Sequence, residues 1–430
     1  MDRREFIQTS VWTGLACLVD FDRAFAAGQN DKSVGKPWRG WKKGQFQVHF
    51  IYTGVAESMF YIFPDGTTML LDCGDHNAIG RGKLAVPVLP NPDRHAGEWI
   101  ARYVQRVNPS GSDVDYMMLS HYHSDHAGCS TFYASKDRRD EQDYFLSGFS
   151  QAAESLNFGK AFDRSWPTYD DPIPINDESD GGTVGHMKRF YEYMQKHRGM
   201  QMEKFKLGAV NQIAMLKNPS EYKNFSVRNI CANGSIAYPD GTIKDLYKDR
   251  IAKEHPKTLN ENGMSLGMIF TYGEFKFYTA GDFSDKWKLP DGAEYEIEDA
   301  IADACEKVNV AKINHHGHYS MPRKLIEVLQ ARVYVSCVWD QLHNVAPVME
   351  RLADRSIYPD DRIICPGIFP NERREEDAGK IWMSDINKDS FDGGHIILNV
   401  EPDGKRYSIT YLTADDESMT VKSVIEFNSR

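Results

Sequence analysis

Apolar and polar residues alternate in short runs once the chain passes residue 45. FQVHFIYTG is followed by SMFYIF, the turn Pro64-Asp65-Gly66 and TMLLDCGD, which predicts a β-hairpin ending at Asp72. Residues 95–107 (HAGEWIARYVQRV) carry apolar positions at helical spacing, and VDYMMLS (114–120) reads as a short buried strand running into His121. A strand, a helix and a second strand that opens onto polar residues predict an α/β architecture. From about 135 to 255 the chain turns polar, aromatic and irregular around one helical piece near 184–198, and this stretch reads as an insertion over the site. Strands resume at SLGMIFTYG and at FKFYTAGD, the second ending at Asp282. After a helix near 296–307 come VAKINHHG, the helix MPRKLIEVLQ, the strand ARVYVSCV, a helix near VAPVMERLADR, and a last hairpin, GGHIILNVEPDGKRYSITYL. The expected layout is one domain over 45–415, between a linker (27–44) and a tail (416–430).

Composition narrows the class without choosing a substrate. The chain of 430 residues is 41% hydrophobic and 26% charged, as an ordinary globular protein is. Its formal net charge of −11 excludes a broad basic surface for nucleic acid. Bound divalent cations would still make a cleft locally positive. The seven cysteines form no CxxC pair, and several sit inside apolar runs such as VYVSCVW and RIICPG, as small core residues do. One or two disulfides stay open as an alternative outside the cytoplasm.

The first residues read as an address. Arg3 and Arg4 precede Phe6, Ile7 and a modest apolar stretch, and Ala24-Phe25-Ala26 follows. This is the pattern of a twin-arginine export signal with an A-x-A cleavage site, placing residues 1–26 as a signal peptide and the mature chain in the periplasm or otherwise outside the cytoplasm. Lipid attachment at Cys17 is the lesser alternative. Elsewhere no segment reaches the roughly 18 uninterrupted apolar residues of a spanning helix.

The strongest chemical signal is S-H-Y-H-S-D-H-A-G at 120–128. Residues two apart at a strand end point the same way, so His121 and His123 can grip one cation. Asp125 and His126, at the start of the following helix, can face a second. Four metal-type residues within six positions are hard to explain by packing.

This segment resembles the HxHxDH signature of the metallo-β-lactamase superfamily at every defined position, and later blocks extend the likeness. Asp72, closing TMLLDCGD, is similar to the superfamily's first aspartate, which orients the metal loop. Asp282 in YTAGD is similar to the carboxylate that bridges two metals, and His315 or His316 in KINHHG to the last histidine ligand of the second. A third histidine for the first metal is expected between Asp125 and Asp282; His186, His197 and His255 are candidates, with His186 preferred. The blocks PDGTTMLLDCGD, SHYHSDHAG, LNENGMSL, TAGD and HHG, with His343 in QLHNVAPVMERL, most resemble the hydrolase domains of ComEC-type competence proteins and the phosphorylcholine esterases.

The resemblance implies an α/β, four-layer αββα metallo-β-lactamase fold with a large insertion. It also implies two divalent metal ions, zinc for the histidine-rich donor set, with manganese or iron as alternatives. Two such ions lower the pKa of a bridging water toward neutrality and stabilise charge on the attacked group. In that scheme Asp125 holds or orients the nucleophile and His343 protonates a leaving group. His395, entering a strand after two glycines, is a candidate substrate contact, and Trp339 and Asp340 are candidates for shaping the pocket. Three functions follow: a phosphodiesterase, a hydrolase of esters, lactones or β-lactams, and a noncatalytic metal- or ligand-binding protein.

Overall fold

The computed structural model describes residues 31–76, 87–128, 144–251, 253, 259–288 and 292–430. The signal peptide, Cys17 and His255 lie outside these residues. Strands β1 (Phe46–Phe50), β2 (Ser58–Ile62), β3 (Thr68–Cys73), β4 (Asp113–Met118), β5 (Asn157–Asp163) and β6 (Gln201–Lys204) build one half of the molecule. Strands β7 (Phe225–Ala232), β8 (Ser235–Ala237), β9 (Ile243–Asp245), β10 (Gly267–Tyr272) and β11 (Phe275–Ala280) begin the other. A two-stranded ribbon, β12 (Trp287–Lys288) with β13 (Glu294–Tyr295), stands apart, and β14 (Val310–Lys312), β15 (Val333–Ser336) and β16 (Ile363–Pro366) complete the second half. The chain then returns to the first half as β17 (His395–Val400), β18 (Arg406–Leu412) and β19 (Val421–Asn428). The result is a nine-stranded sheet, β19-β18-β17-β1-β2-β3-β4-β5-β6, and an eight-stranded sheet, β16-β15-β14-β11-β10-β7-β8-β9.

Period-two alternation sets the layers. Phe46, Val48 and Phe50 of β1, Met59 and Tyr61 of β2, and Met69 and Leu71 of β3 face Met268, Phe270, Phe277, Val310 and Val333 of the opposite sheet, forming a core between the sheets. The intervening residues Phe60, Ile62 and Leu70 turn outward onto helices α1 (Ala96–Val107), α2 (Ser124–Ala127), α3 (Phe149–Ala152) and α4 (Thr183–Arg198). On the far side Ile269, Tyr278, Ala311 and Tyr334 pack against α5 (Ile297–Ala302), α6 (Arg323–Leu329) and α7 (Ala346–Ala353). Helix, sheet, sheet and helix make the four-layer αββα arrangement. Strands buried on both faces also explain why SMFYI and TMLLDC read as nearly continuous apolar runs.

Three expectations about layout need correction. The stretch taken as an insertion supplies β5 and β6, which extend the first sheet in parallel, and β7, which pairs with β10 in the second. Its polarity reflects the loops between these strands, which hide short apolar segments such as FSVRNICA. The tail taken as 416–430 contains β19, antiparallel to β18. The linker docks on it, since Gly35 N–H donates to Val421 O and Trp38 N–H to Met419 O. Among the described residues the five cysteines are free, and no helix is long and apolar enough to cross a membrane.

Three histidines are enclosed as neutral groups. Burial pushes the imidazolium forms of His49, His186 and His395 down to about 3 each. The unfolded chain takes up these protons near pH 6.5 and the native one does not, so stability is full above that value and falls as the pH drops through the window. His186→Phe should remove about 1.4 kcal/mol per pH unit of that slope below roughly pH 6. Urea unfolding across the range checks this, and an unchanged slope would show that His186 titrates normally.

Candidate metal centre

The residues singled out by sequence leave the carboxyl ends of neighbouring parallel strands, where open α/β sheets place their sites. Strands β3 and β4 run parallel and deliver Asp72 and the segment 120–126. On the facing sheet β11 and β14 run parallel and deliver Asp282 and His315-His316, while β15 leads to Trp339 and His343. The sheets are stitched together here, because Leu266 N–H donates to Ser120 O and Gly281 N–H to Leu266 O.

Asp72 organises the loop. Its backbone is left-handed at φ 57°, a conformation rare for a residue with a Cβ. One carboxylate oxygen accepts from Ser120 N–H at 2.7 Å, and the other lies 2.7 Å from both Ser120 Oγ and His126 Nδ1. Two residues on, Gly74 has no room for a side chain, since a Cβ there would lie 1.8 Å from Asp125 O.

Four donors converge beyond this anchor. Asp282 Oδ2 lies 3.1 Å from His126 Nε2 and 3.1 Å from His316 Nε2, and Asp125 Oδ2 lies 3.2 Å from the latter. Each histidine is held from behind through its other nitrogen: His126 by Asp72, His316 by Cys337 O at 2.7 Å, and His121 by Ser120 Oγ at 3.0 Å. That places the Nδ1 proton on an acceptor and leaves the Nε2 lone pair for a cation, an arrangement typical of metal-bound imidazoles. His121 Nε2 and Asp282 Oδ1 are buried without any hydrogen-bond partner, which suits donors that await a cation rather than groups satisfied by packing.

Glu57 belongs to the same buried cluster, with a ligand-type atom within 4.8 Å of those of His126, Asp282 and His316. Its carboxylate meets His316 at Nδ1 (3.2 Å) and Lys312 Nζ at 3.0 Å. The two nitrogens of one imidazole point in opposite directions, so Glu57 braces His316 from the side away from Asp125 and Asp282.

Charge balance follows from this geometry. Burial alone would push the His126 and His316 imidazolium forms down, but Asp282, Asp125 and their neighbours hold both well above the usual value. Burial would likewise raise Asp282 and Asp125, and the same histidines hold them well below the carboxylate range. A cation binding here must displace those protons.

The arm carrying His121 and His123 has its own brace. Tyr122 N–H donates to Glu261 Oε1 at 2.9 Å, and its hydroxyl donates to Asp163 at 2.7 Å. Arg164 forms a two-pronged pair with Glu261 (2.9 and 2.6 Å) and lies 4.8 Å from the Tyr122 ring centroid. Sequence reading missed this pair, because Glu261, although inside the LNENGMSL block, has its partner 97 positions away at Arg164, outside every block.

The donors open onto a cleft of about 440 Å³ lined by His76, His123, Asp125, Asp180, Asn262 and Asp282, with His315, His316, His318, Trp339 and His343 on the far wall. His343 stacks on His316 at 4.6 Å. His315, half-buried, contacts Ser284 Oγ and Asn262 Nδ2 and faces the cleft, whereas His316 is the one against Asp125 and Asp282. His76, His318, Asp180 and Glu57 were not singled out by sequence; each is a lone polar residue until folding gathers it.

The structure shows no contact of His186, His197 or His395 with the converging donors, and both ring nitrogens of His186 are buried without a hydrogen-bond partner. His186 sits within α4, fully buried against Tyr144 and Phe145, and the charged group that bears on it is Arg189 rather than any site histidine or carboxylate. His197 stacks on Tyr193 at the end of the same helix. His395 accepts from Tyr52 N–H at 3.0 Å and packs on Tyr103, outside the cleft, so it is a structural residue rather than a substrate contact. The glycines before it serve packing, since a Cβ at Gly394 would lie 2.4 Å from Leu412 O.

Two predictions follow from the braces and the charge balance. Glu261→Ala strands a buried guanidinium and the Tyr122 N–H, so stability should fall by about 3–5 kcal/mol in chemical denaturation; a loss below about 1 kcal/mol would show that water reaches the pair. Metal uptake should release protons from His126 and His316, making binding tighter as pH rises. Calorimetric titration in buffers of different ionisation enthalpy reads this directly, and buffer-independent heats would contradict it.

Comparison with known proteins adds to this picture. Residues 52–136 match the family model described as the metallo-beta-lactamase superfamily. No curated protein matches the chain. Among solved structures, one is assigned as a metal-dependent hydrolase from Parabacteroides distasonis (14% identity, 76% of this chain and 96% of that one, TM-score 0.33). Another is the diiron β-hydroxylase CmlA from Streptomyces venezuelae (11% identity, 69% of this chain and 45% of that one, TM-score 0.33). A third is Zn2+-bound PqqB from Methylobacterium extorquens (10% identity, 67% and 88%, TM-score 0.29). With the matched segment enclosing the HxHxDH loop and two packed sheets presenting its donors, the chain carries the metallo-β-lactamase fold and a candidate divalent-metal site.

Proposed function

We propose that the protein is a metal-dependent hydrolase that cleaves phosphodiester bonds outside the cytoplasm. The observation that carries the hydrolase reading is the convergence of Asp125, His126, Asp282 and His316 beside an open cleft, with both histidines braced from behind. Two divalent cations held there by His121, His123, Asp125, His126, Asp282 and His316 would supply an activated water and neutralise charge on the attacked group. The phosphodiester choice rests on the resemblance of the sequence blocks to those of ComEC-type domains and phosphorylcholine esterases, and export on the Arg3-Arg4 pattern.

The chain's own residues then divide the remaining work. His343 Nδ1 lies 3.4 Å from Trp339 N–H and accepts from it, so Nε2 carries the proton and can donate to a leaving oxygen. Stacking on His316 fixes the plane of its ring. His315 and Asn262 supply polar contacts for substrate oxygens on the adjacent wall. A second reading, hydrolysis of esters, lactones or β-lactams, draws on the absence of Lys and Arg among the described residues lining the cleft.

The test compares alkyl and aryl phosphodiesters with an aryl ester, a lactone and a β-lactam, using metal-loaded protein and an Asp282→Ala control. Phosphodiester turnover abolished in the control is expected, and turnover of the acyl substrates alone would install the second reading. His343→Gln should slow the alkyl diester by about 100-fold while sparing the aryl diester, whose leaving group needs no proton. Equal losses on both would remove the general-acid role.

A further inference from the structure

We propose that Tyr319, with His318 and Leu342, forms a subsite at the edge of the cleft for a planar aromatic group carried on the leaving oxygen of the substrate. The assignment deepens the hydrolase reading above and rests on it for the direction in which the substrate lies. Six large apolar side chains are exposed among the described residues, and two of them, Tyr319 (55%) and Leu342 (48%), are the immediate neighbours of His318 and His343 in the chain. His318, Leu342 and His343 all line the cleft. The Tyr319 ring packs on His318 with centroids 4.7 Å apart, and the His318 ring lies 6.4 Å from that of His343. A row of rings therefore leads from the proposed proton donor out to solvent.

One exposed apolar side chain is ordinary. The backbone beneath this one is not. Tyr319 is left-handed at φ 51°, as are His315, His316 and Met321 at 47°, 52° and 57°. For bulky residues that conformation is rare, and it persists where the surroundings impose it, most often at functional sites. Here the surroundings do impose it. Tyr319 O accepts from Asp285 N–H at 2.8 Å, and Ser320 Oγ donates to Asn314 O at 2.7 Å. Arg351 of α7 donates to Ser320 O and Met321 O at 2.7 and 3.0 Å. Buried Glu298 of α5 accepts from Asn314 Nδ2 at 2.6 Å and from Met321 N–H at 3.0 Å, closing the loop at both ends. These anchors hold backbone and loop atoms, so the Tyr319 ring is displayed on a fixed support with His318 as its ring partner.

The chemistry of the surface selects its occupant. Aromatic rings pair at centroid separations of about 4.5–7 Å and gain affinity beyond the area they cover. Leu342 adds an apolar edge, and no Lys or Arg among the described lining residues favours an anionic group. A short alkyl chain on an oxygen beside His343 ends before the outer ring. A flat ring in the same place reaches His318 and Tyr319.

The experiment titrates metal-loaded, full-length protein with benzylphosphonate, cyclohexylmethylphosphonate and ethylphosphonate, in which CH2 replaces the leaving oxygen and nothing can be cleaved, and reads affinity by calorimetry. Benzylphosphonate should bind tighter than ethylphosphonate by about 10-fold and tighter than the cyclohexylmethyl compound by about 3-fold. Tyr319→Asn should abolish the second preference and cut the first to below about 3-fold, with ethylphosphonate affinity and thermal midpoint unchanged, since Asn accommodates the left-handed backbone. Tyr319→Phe should keep both preferences. A benzyl preference that survives Tyr319→Asn would overturn the assignment, as would equal binding of the benzyl and cyclohexylmethyl compounds. Selectivity that follows Tyr319 in a protein hydrolysing no diester would keep the subsite and remove the hydrolase reading alone, and diester turnover without such selectivity would do the reverse. Binding of none of the three phosphonates would overturn both.

Discussion

Everything at the metal centre hangs on the buried carboxylate of Asp72. It ends strand β3 in a left-handed turn and spends its two oxygens on Ser120 N–H, Ser120 Oγ and His126 Nδ1. Through Ser120 it also reaches His121, and through Ser120 O it reaches Leu266 on the other sheet. One side chain thus sets the orientation of His121 and His126 and joins the two sheets at the point where they must be in register. Such a position resists substitution: asparagine would have to turn its NH2 toward either Ser120 N–H or His126 Nδ1–H, a donor facing a donor.

Around that anchor the protein repeats one device. His121, His126 and His316 are each backed by an acceptor, and the segments carrying them are backed by buried ion pairs, Lys312 with Glu57 and Arg164 with Glu261. Buried pairs of this kind add little net stability but fix geometry, since breaking either leaves an unpaired charge in a dry interior. The rigid strands set the spacing, and the braces set the direction of each donor.

Legibility in the sequence followed the locality of each interaction. The HxHxDH segment lies on one strand end and one helix start, so its grouping was visible without a structure, and the hairpin through Asp72 announced itself by alternation and by Pro64-Asp65-Gly66. Asp282 and the His315-His316 pair were legible because each ends a strand of recognisable pattern. Glu57, Asp180 and the Arg164–Glu261 pair were not, because each acquires its partner across the fold. His395 misled for the converse reason: a histidine after glycines looks catalytic, yet here burial, Tyr52 N–H and the Tyr103 ring make it a neutral core group. The stretch 135–255 misled because a strand flanked by long polar loops contributes few apolar positions to any window.

The mutual holding of His126, His316, Asp125 and Asp282 has one more consequence. Without a cation, protons on the two imidazoles offset the carboxylates, so the cluster is a compact salt cage and not a set of repelling like charges. The architecture of the site can therefore assemble before any ion arrives, with hydrogen nuclei as placeholders. Metallation then becomes an exchange of protons for an ion within a finished scaffold.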